Sequence, residues 1–259
     1  MVDNVFYAVC TDNVYESVLE VSEGYRAVTV GVPKTYNNAL SDAKWGDAAR
    51  KEWSTLVETK ALLQVDPVVA KEAIKNGADL VVLFPVYEEK EKEGVLVQKV
   101  RLVGDGRTHY HAGSTYSPTT SREELLVILH MAAKYDWDIV HIDEVRAFLN
   151  ATYKGDTKVY TKMKGDSNYY EVLKALYGLK TSPRDYSTEV RAKLISMGFT
   201  PLLLSSQLYI FKDESGGLVI IYDYVDDFVI TGNKLECIMS FIVRFREITN
   251  TTEPVYNPT

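Results

Sequence analysis

The sequence has few of the residues that build disulfide frameworks or zinc sites. Its 259 residues include two cysteines, Cys10 and Cys237, which lie far apart and outside any CxxC motif. This spacing argues against a disulfide-rich fold and favours a reducing compartment. The four histidines are scattered, except that His109 and His111 flank one tyrosine, and they form no zinc-binding pattern.

Long apolar runs are also lacking. No run approaches the roughly 20 residues that a helix needs to cross a bilayer, so no membrane partner is expected. The first residues, "MVDNVFYAVCTDN", carry acid rather than base, and no signal peptide is predicted. With 46% hydrophobic and 25% charged residues, the composition is typical of a soluble globular protein with one large domain or two interleaved lobes.

Positive charge is scarce overall, because 29 Lys and Arg face 36 Asp and Glu, for a net charge of −7. This balance argues against a protein that coats nucleic acid nonspecifically. The stretch from Arg146 to Arg184 is locally basic, because it has eight cationic residues against three acids, and five tyrosines lie among them. The cationic residues are Arg146, Lys154, Lys158, Lys162, Lys164, Lys174, Lys180 and Arg184. Such interleaving favours nucleic-acid binding, but a solvated lysine-rich face is an equally good interpretation.

Helical periodicity is present in four segments. "SDAKWGDAARKEWSTLVETKALLQ" has apolar residues near helical spacing from Trp53 to Leu63. Ser121 and Glu124 form a capping box before "REELLVILHMAAKYDW". "PRDYSTEVRAKLISMGF" predicts a helix ended by a glycine, and Asn233 is expected to cap a last amphipathic helix.

Strand patterns occur between these helices. "DLVVLFPVYEEKEKEGVLVQKVRLVGDG" predicts two or more strands, and "DIVHID" predicts one that ends near Asp143. "SQLYIFKDESGGLVIIYDYVDDFVITGN" predicts strands around a Gly-Gly turn and a second turn at Val225–Asp226. Mixed helices and antiparallel hairpins predict the α+β class.

The hairpin "IIYDYVDDFVITG" carries two adjacent aspartates, Asp226 and Asp227, at its tip. Aspartate is common in turns, which is the plainer interpretation. However, the apolar flanks predict a rigid tip, and Asp143 also ends an apolar strand. Clustered carboxylates suit Mg²⁺, which takes a few protein oxygens and completes its shell with waters and phosphates. Two such ions, about 3.5–4 Å apart, promote phosphoryl transfer.

Several motifs together resemble those of copia-type LTR retrotransposon reverse transcriptases. "YVDD" followed by "FVITGN" is similar to the catalytic hairpin of that family. "PKTYNNALSD", "KVRLVGDG", "STYSPTTSREELLVILHMAAKYDWDIVHID", "DEVRAFLNA", "LYGLKTSPRDY" and "MGFTPLLLSSQLYI" resemble its other blocks, in family order. The resemblance covers roughly Pro33 to Pro254.

The resemblance implies specific site residues. It makes Asp143, Asp226 and Asp227 the catalytic triad that binds two Mg²⁺ ions, with Mn²⁺ as an alternative. Phe148 falls at the aromatic gate that rejects a ribose 2′-hydroxyl. In the absence of the motif context, Phe148 would be assigned to ordinary core packing.

Further residues are implied to contact substrates. The nucleotide-binding set is Lys99, Arg101, Tyr177 and Gly178, alongside Phe148, and the nucleic-acid-binding residues are Lys180 and Arg184. The paired cations Lys99 and Arg101 suit a triphosphate. Their simpler interpretation is an exposed strand edge protected by charge, and that of Tyr177 is core packing.

The resemblance also implies a reverse transcriptase-like arrangement of fingers and palm, with an antiparallel palm sheet packed on helices. The expected boundaries are an N-terminal extension at 1–32, fingers at 33–115 and 152–182, and palm at 116–151 and 183–259. The thumb and RNase H domains that follow in the family are expected to be absent.

Some residues depart from the family pattern. Asp223 stands where the family is usually apolar, Glu144 where valine is usual, and Asp185-Tyr186 where Ala-Trp is usual. Ser205 stands where an acid is common, and the stretch after "VRLVGDG" is shortened to "RTHYHAG". These departures weaken the inference of activity more than that of fold.

Two functions therefore remain open. The first is an RNA-directed DNA polymerase core that binds an RNA or DNA template–primer and deoxynucleoside triphosphates and extends a primer 3′-hydroxyl. The second is a truncated or domesticated protein without polymerase activity, acting as a binding or structural module. A second copy or a protein partner is expected to replace the thumb. The expected location is cytoplasmic, in virus-like particles for an active element, with the nucleus as the alternative.

Overall fold

The computed structural model describes residues 32–258, apart from residues 93, 119–120, 204 and 206. Nearly all of the expected N-terminal extension at 1–32 lies outside the described residues. The chain divides into two compact units. The first unit comprises the chain up to Ser114 together with Tyr153–Ser182, and the second comprises Thr115–Thr152 and Pro183–Thr259.

Helices and strands alternate along the described chain. The helices are α1 Tyr36–Leu40, α2 Gly46–Glu58, α3 Pro67–Lys75, α4 Arg122–Tyr135, α5 Ser182–Ser196 and α6 Leu235–Ile248. The strands are β1 Leu62–Val65, β2 Asp79–Lys92, β3 Val95–Gly104, β4 Asp138–Asp143, β5 Val159–Met163, β6 Tyr169–Val172, β7 Thr200–Pro201, β8 Leu208–Lys212, β9 Leu218–Tyr224, β10 Asp227–Gly232 and β11 Val255–Tyr256. Short 3-10 turns lie at Gly106–Thr108 and Ala147–Asn150. The predicted α+β class is confirmed.

The first unit is built on a five-stranded sheet in the order β1-β6-β5-β2-β3. The pairs are antiparallel except β2 with β5, which run parallel. Trp45 and Ala49 at the start of α2 pack with Val100 of β3 in a buried cluster. Because Val100 points into that cluster, the alternation of the strand turns Lys99 and Arg101 to its other face.

The second unit has a six-stranded antiparallel sheet in the order β11-β4-β10-β9-β8-β7. Ile128 of α4 packs in a cluster that contains Ile220 and Tyr222 of β9. Helix α6 places Phe245 against Phe228 of β10, with ring centroids 5.4 Å apart. The two helices therefore fix which residues of the central strands are buried, and so the register of the sheet.

Two details of the helix predictions are wrong and one is confirmed. Helix α2 ends at Glu58, and the following Leu62–Val65 is a strand, because Lys60 adopts a left-handed conformation with φ of 56°. Asn233 does not cap α6; its side chain accepts from the Leu218 N–H and donates to the Gly216 carbonyl. The capping box of Ser121 and Glu124 is present as predicted. Within the described part of the chain, no helix combines the length and apolarity needed to cross a membrane.

Candidate active site

Two residues, Val225 and Asp226, form the tip of the β9–β10 hairpin between the paired Tyr224 and Asp227. Val225 has a φ of 61°, which is unusual for a β-branched residue. Conformations of this kind cost about 1–3 kcal/mol and persist where the surroundings impose them. The hairpin tip is therefore held in a conformation that its own sequence disfavours.

The register of β4 and β10 sets Asp143 directly opposite Asp227. Because Ile142 and Phe228 are fully buried, strand alternation turns both carboxylates to the other face of the sheet. Directly opposed residues have Cβ atoms about 4.5–5.5 Å apart. Asp226 adjoins them at the tip, so the three predicted catalytic residues lie in one corner of the second unit.

The backbone of Asp143 is held by Thr252. The Asp143 N–H donates to the Thr252 hydroxyl at 3.0 Å, and its carbonyl accepts from the Thr252 N–H at 2.8 Å. The following residue, Glu144, donates its N–H to the Asp226 carbonyl at 2.6 Å. The end of β4 is thus tied directly to the hairpin tip.

A histidine that the sequence shows only as isolated also belongs to this corner. His141 lies 2.9 Å through Nε2 from the Oδ1 atom of Asp227. It precedes Asp143 by two residues on β4, so both side chains point to the same face. That two-residue spacing was the available signal in the sequence. The contact orients one carboxylate of the predicted triad.

The three predicted catalytic aspartates have the right donor atoms for a divalent cation, but their side chains are not arranged around a common point. Carboxylate oxygens are the donors that Mg²⁺ takes in proteins, and Asp143, Asp226 and Asp227 bring three carboxylates to one corner. Among the described residues, no group of three or more His, Cys, Asp or Glu side chains is arranged to hold a metal ion.

A buried polar cluster lies against the hairpin. Glu144 is 1% exposed, and one carboxyl oxygen accepts from the Asn150 amide at 2.7 Å and from the Thr249 hydroxyl. Its other oxygen lies 2.6 Å from the hydroxyl of Tyr186, which also lies 2.6 Å from the Val225 carbonyl. Burial, then the nearby Glu144 carboxyl, raises the pKa of Tyr186 well above its usual value, so the phenol remains a donor.

Two residues that depart from the family pattern, Glu144 and Tyr186, thus form one hydrogen-bonded group. Asp223 is fully buried, and its pKa is raised well above the usual range by burial, then by the charges of Glu144 and Asp226. Phe148 lies in the 3-10 turn at Ala147–Asn150 and packs edge-on against Tyr186, with ring centroids 5.8 Å apart. Three of the departures, Glu144, Tyr186 and Asp223, therefore share one neighbourhood beside the predicted catalytic residues.

In the first unit, Arg101 is held by two neighbours. Its guanidinium donates to Glu88 at 2.8 Å and lies over the ring of Tyr177 at 5.7 Å from the centroid. Lys99 lies opposite Glu88 in the register. Although the Lys99 side chain reaches solvent, desolvation of its ammonium group, then the charge of Arg101, lowers its pKa. The predicted triphosphate contacts are therefore two neighbouring cations on one strand face.

Gly178 lies where two of the sequence motifs contact each other. Its φ is 90°, and an added Cβ would lie 2.0 Å from the Gly104 carbonyl oxygen. The Gly104 N–H donates to the Tyr177 carbonyl at 2.8 Å. The segments "VRLVGDG" and "LYGLK" therefore contact each other within the first unit, and only glycine at position 178 allows so close an approach.

The two predicted nucleic-acid-binding cations differ in their surroundings. Lys180 is exposed, and its backbone N–H donates to Nδ1 of His109 at 3.1 Å. Arg184 donates to the buried Asp185 at 2.7 Å. The carboxylate of Asp185 therefore offsets the charge of Arg184 locally.

Comparisons with known proteins support the resemblance to reverse transcriptases. A family described as "Reverse transcriptase (RNA-dependent DNA polymerase)" matches residues 77–248. The retrovirus-related Pol polyprotein from transposon RE1 of Arabidopsis thaliana is 30% identical over 212 residues, covering 78% of this chain and 14% of the relative. That from transposon RE2 of the same plant is 26% identical over 211 residues, with the same coverage. The chain spans about one seventh of these relatives.

Among solved structures, the foamy viral protease-reverse transcriptase dRH in complex with ds DNA matches at 14% identity and a TM-score of 0.43. That match covers 80% of this chain and 29% of the other. The foamy viral protease-reverse transcriptase in complex with dsDNA matches at 13% identity and a TM-score of 0.42, covering 80% and 35%.

Proposed function

Because the chain belongs to the reverse transcriptase family, in its copia-type retrotransposon form, we propose that it is the catalytic core of an RNA-directed DNA polymerase. The first unit would correspond to the fingers and the second to the palm. The observation that carries the proposal is the pairing of Asp143 with Asp227 beside Asp226.

In this proposal, Asp143, Asp226 and Asp227 hold two Mg²⁺ ions, or Mn²⁺ in their place. When bound, such ions lower the pKa of an attacking hydroxyl and stabilise charge on the phosphates. The protein's own part is to hold the carboxylates. His141 orients Asp227 through its 2.9 Å contact, and Thr252 fixes the backbone of Asp143.

The proposed substrates are an RNA or DNA template–primer and deoxynucleoside triphosphates. Lys99 and Arg101 would contact the triphosphate, and a phosphate at Arg101 would compete with its bond to Glu88. Phe148 would exclude a 2′-hydroxyl, Tyr177 and Gly178 would contact nucleotide and template, and Lys180 and Arg184 would contact phosphates. The proposed location is the cytoplasm, in virus-like particles, with the nucleus as the alternative.

Primer extension by the purified chain tests the proposal. With an RNA template in Mg²⁺ or Mn²⁺, the wild type is expected to extend a DNA primer. Asp226→Asn is expected to lower the rate at least about 1,000-fold, because it removes charge where metal-assisted catalysis supplies several kcal/mol. Asp138→Asn, at the other end of β4, is the matched control and should retain activity.

Polymerase activity is contradicted if neither the wild type nor Asp226→Asn extends the primer while circular dichroism shows that both are folded. A binding or structural role is the second candidate. It is favoured by the in-chain carboxylates that hold Arg101 and Arg184, two cations proposed to contact substrates. Under that role, template–primer binding would persist in Asp226→Asn without any extension by the wild type.

A further inference from the structure

Two backbone carbonyls at the hairpin tip are held by residues outside the hairpin. The Val225 carbonyl accepts from the Tyr186 hydroxyl, and the Asp226 carbonyl accepts from the Glu144 N–H, both at 2.6 Å. Central residues of a two-residue turn lie outside the strand ladder. Their orientation therefore depends on partners from other elements, here α5 and the end of β4.

These two bonds act on a strained turn. The left-handed conformation of Val225 is unfavourable for a β-branched side chain. A turn of this kind stays in one conformation only while neighbouring groups impose it. The bonds from Tyr186 and Glu144 are two such constraints, and both reach the residues beside Asp227.

The holding groups are themselves fixed. Glu144 and Tyr186 are 1% and 3% exposed and lie 2.6 Å apart, oxygen to oxygen. The other oxygen of Glu144 accepts from Asn150 and from Thr249, which follows α6. The cluster thus connects α5, the 3-10 turn and the end of α6 to the tip. Rotation of the tip would break hydrogen bonds of buried groups, which is costly.

We propose that Tyr186 and Glu144 are positioning residues that hold the hairpin tip, and with it Asp226 and Asp227, beside Asp143. The catalytic part of this inference rests on the proposed polymerase function. The positioning itself concerns only the hydrogen bonds at the tip. The two parts are therefore separable by experiment.

The first test removes one hydroxyl. Tyr186→Phe is expected to lower kcat for primer extension about 10–100-fold while KM for the nucleotide changes less than about twofold, because the substrate is not contacted. The Mn²⁺ concentration at half-maximal rate is expected to rise by a similar factor. Tyr222→Phe is the matched control, since Tyr222 is 4% exposed and its hydroxyl donates to the Ser121 carbonyl at 3.3 Å rather than to a group of the tip.

The second test is independent of activity. Hydrogen exchange of the Glu144 amide reports its bond to Asp226, so Tyr186→Phe should speed that exchange at least tenfold and Tyr222→Phe should not. This holds even for a chain that does not polymerise, so loss of the proposed function leaves it intact. Unchanged exchange in Tyr186→Phe overturns the positioning role.

A conservative replacement separates positioning from packing. Glu144→Gln keeps an acceptor for Asn150 and Thr249 and supplies a donor to the Tyr186 oxygen, so kcat and amide exchange should stay within about threefold of wild type. Glu144→Ala removes both and should match or exceed the effect of Tyr186→Phe. Equal effects of Gln and Ala, or equal effects of the two tyrosine replacements, would mean that these residues only pack.

Discussion

At the scale of single residues, Asp223 is a fully buried carboxyl on β9 that is costly to ionise. Burial, then the charges of Glu144 and Asp226, raises its pKa well above the usual range. Below pH about 4 the group is protonated in both folded and unfolded chains, so it has little effect. As the pH rises, the unfolded chain releases this proton while the folded chain retains it, and the free energy of unfolding falls.

Asp223→Asn should therefore stabilise the protein at neutral and alkaline pH. Each unit of pKa that separates the two states is worth about 1.4 kcal/mol, or about 3–5 °C in Tm for a chain of this size. The gain in Tm at pH 8 should shrink to nothing near pH 4, as followed by differential scanning calorimetry.

Asp213→Asn is the control with the opposite sign. Hydrogen bonds from the Gly217 N–H and the Ser215 hydroxyl lower the pKa of Asp213. The stabilising contribution of the Asp213 carboxylate is present above the pKa of the unfolded chain and is lost as the pH falls. Asp213→Asn should therefore lose stability at pH 8. The interpretation of Asp223 is wrong if Asp223→Asn also loses stability at pH 8.

At the scale of elements, Gly178 sets how the "LYGLK" segment meets the end of β3. Gly178→Ala should lower the free energy of unfolding by about 3 kcal/mol or more, because left-handed strain adds to overpacking against the Gly104 carbonyl. Thermal unfolding and the near-ultraviolet spectrum would measure the change.

Gly165→Ala is the matched control for this substitution. Gly165 has a φ of 87°, and its added Cβ would meet nothing within 4 Å. This control should cost only about 1–2 kcal/mol, the strain alone. Equal losses in the two variants would show that the close approach to Gly104 contributes nothing.

Local patterns predicted some elements well because their causes are local. The capping box of Ser121 and the turn at Val225–Asp226 depend on residues a few positions apart. The helical spacing that Leu62 and Leu63 continue predicts helix where the structure has strand β1, because the left-handed conformation of Lys60 that ends the helix has no signal in the sequence.

In the candidate site, too, some residues can be predicted from local motifs and others cannot. The three aspartates follow from their motifs, whereas the cluster of Glu144 and Tyr186 does not. These residues are 42 positions apart, and their contact depends on how α5 packs beside β4. Asn233 failed as a cap because its amide binds the end of β9 instead, a choice that depends on the folded hairpin.

At the scale of the whole molecule, ion pairs further reduce the few positive charges of this acidic chain. Arg101 with Glu88, Arg184 with Asp185 and Lys158 with Glu171 lie within 2.8 Å or less. Each pair neutralises a cation that would otherwise attract phosphate. The chain should therefore contact few phosphates.

Template–primer binding should consequently depend weakly on salt. The slope of log affinity against log salt is about −0.9 per phosphate contact on duplex DNA, and we expect a slope shallower than about −5. Glu171→Gln should release Lys158 and steepen the slope by about one, as measured by fluorescence anisotropy from 50 to 200 mM salt.

Glu253→Gln is the control, because its partner Arg246 lies outside the basic segment. This variant should leave the slope unchanged. A slope steeper than about −6 for the wild type would show that the ion pairs open freely on binding and that neutralisation does not limit contact with phosphate.

The pairing of β4 with β10 also has a consequence for biosynthesis. Asp143 leaves the ribosome about 80 residues before its partner Asp227, which is about 4–16 s at ordinary elongation rates. During that delay the nascent β4 exposes apolar residues without neighbouring strands, which makes the nascent chain prone to aggregation. Slow codons between these two segments would lengthen that exposure and lower the yield of native protein.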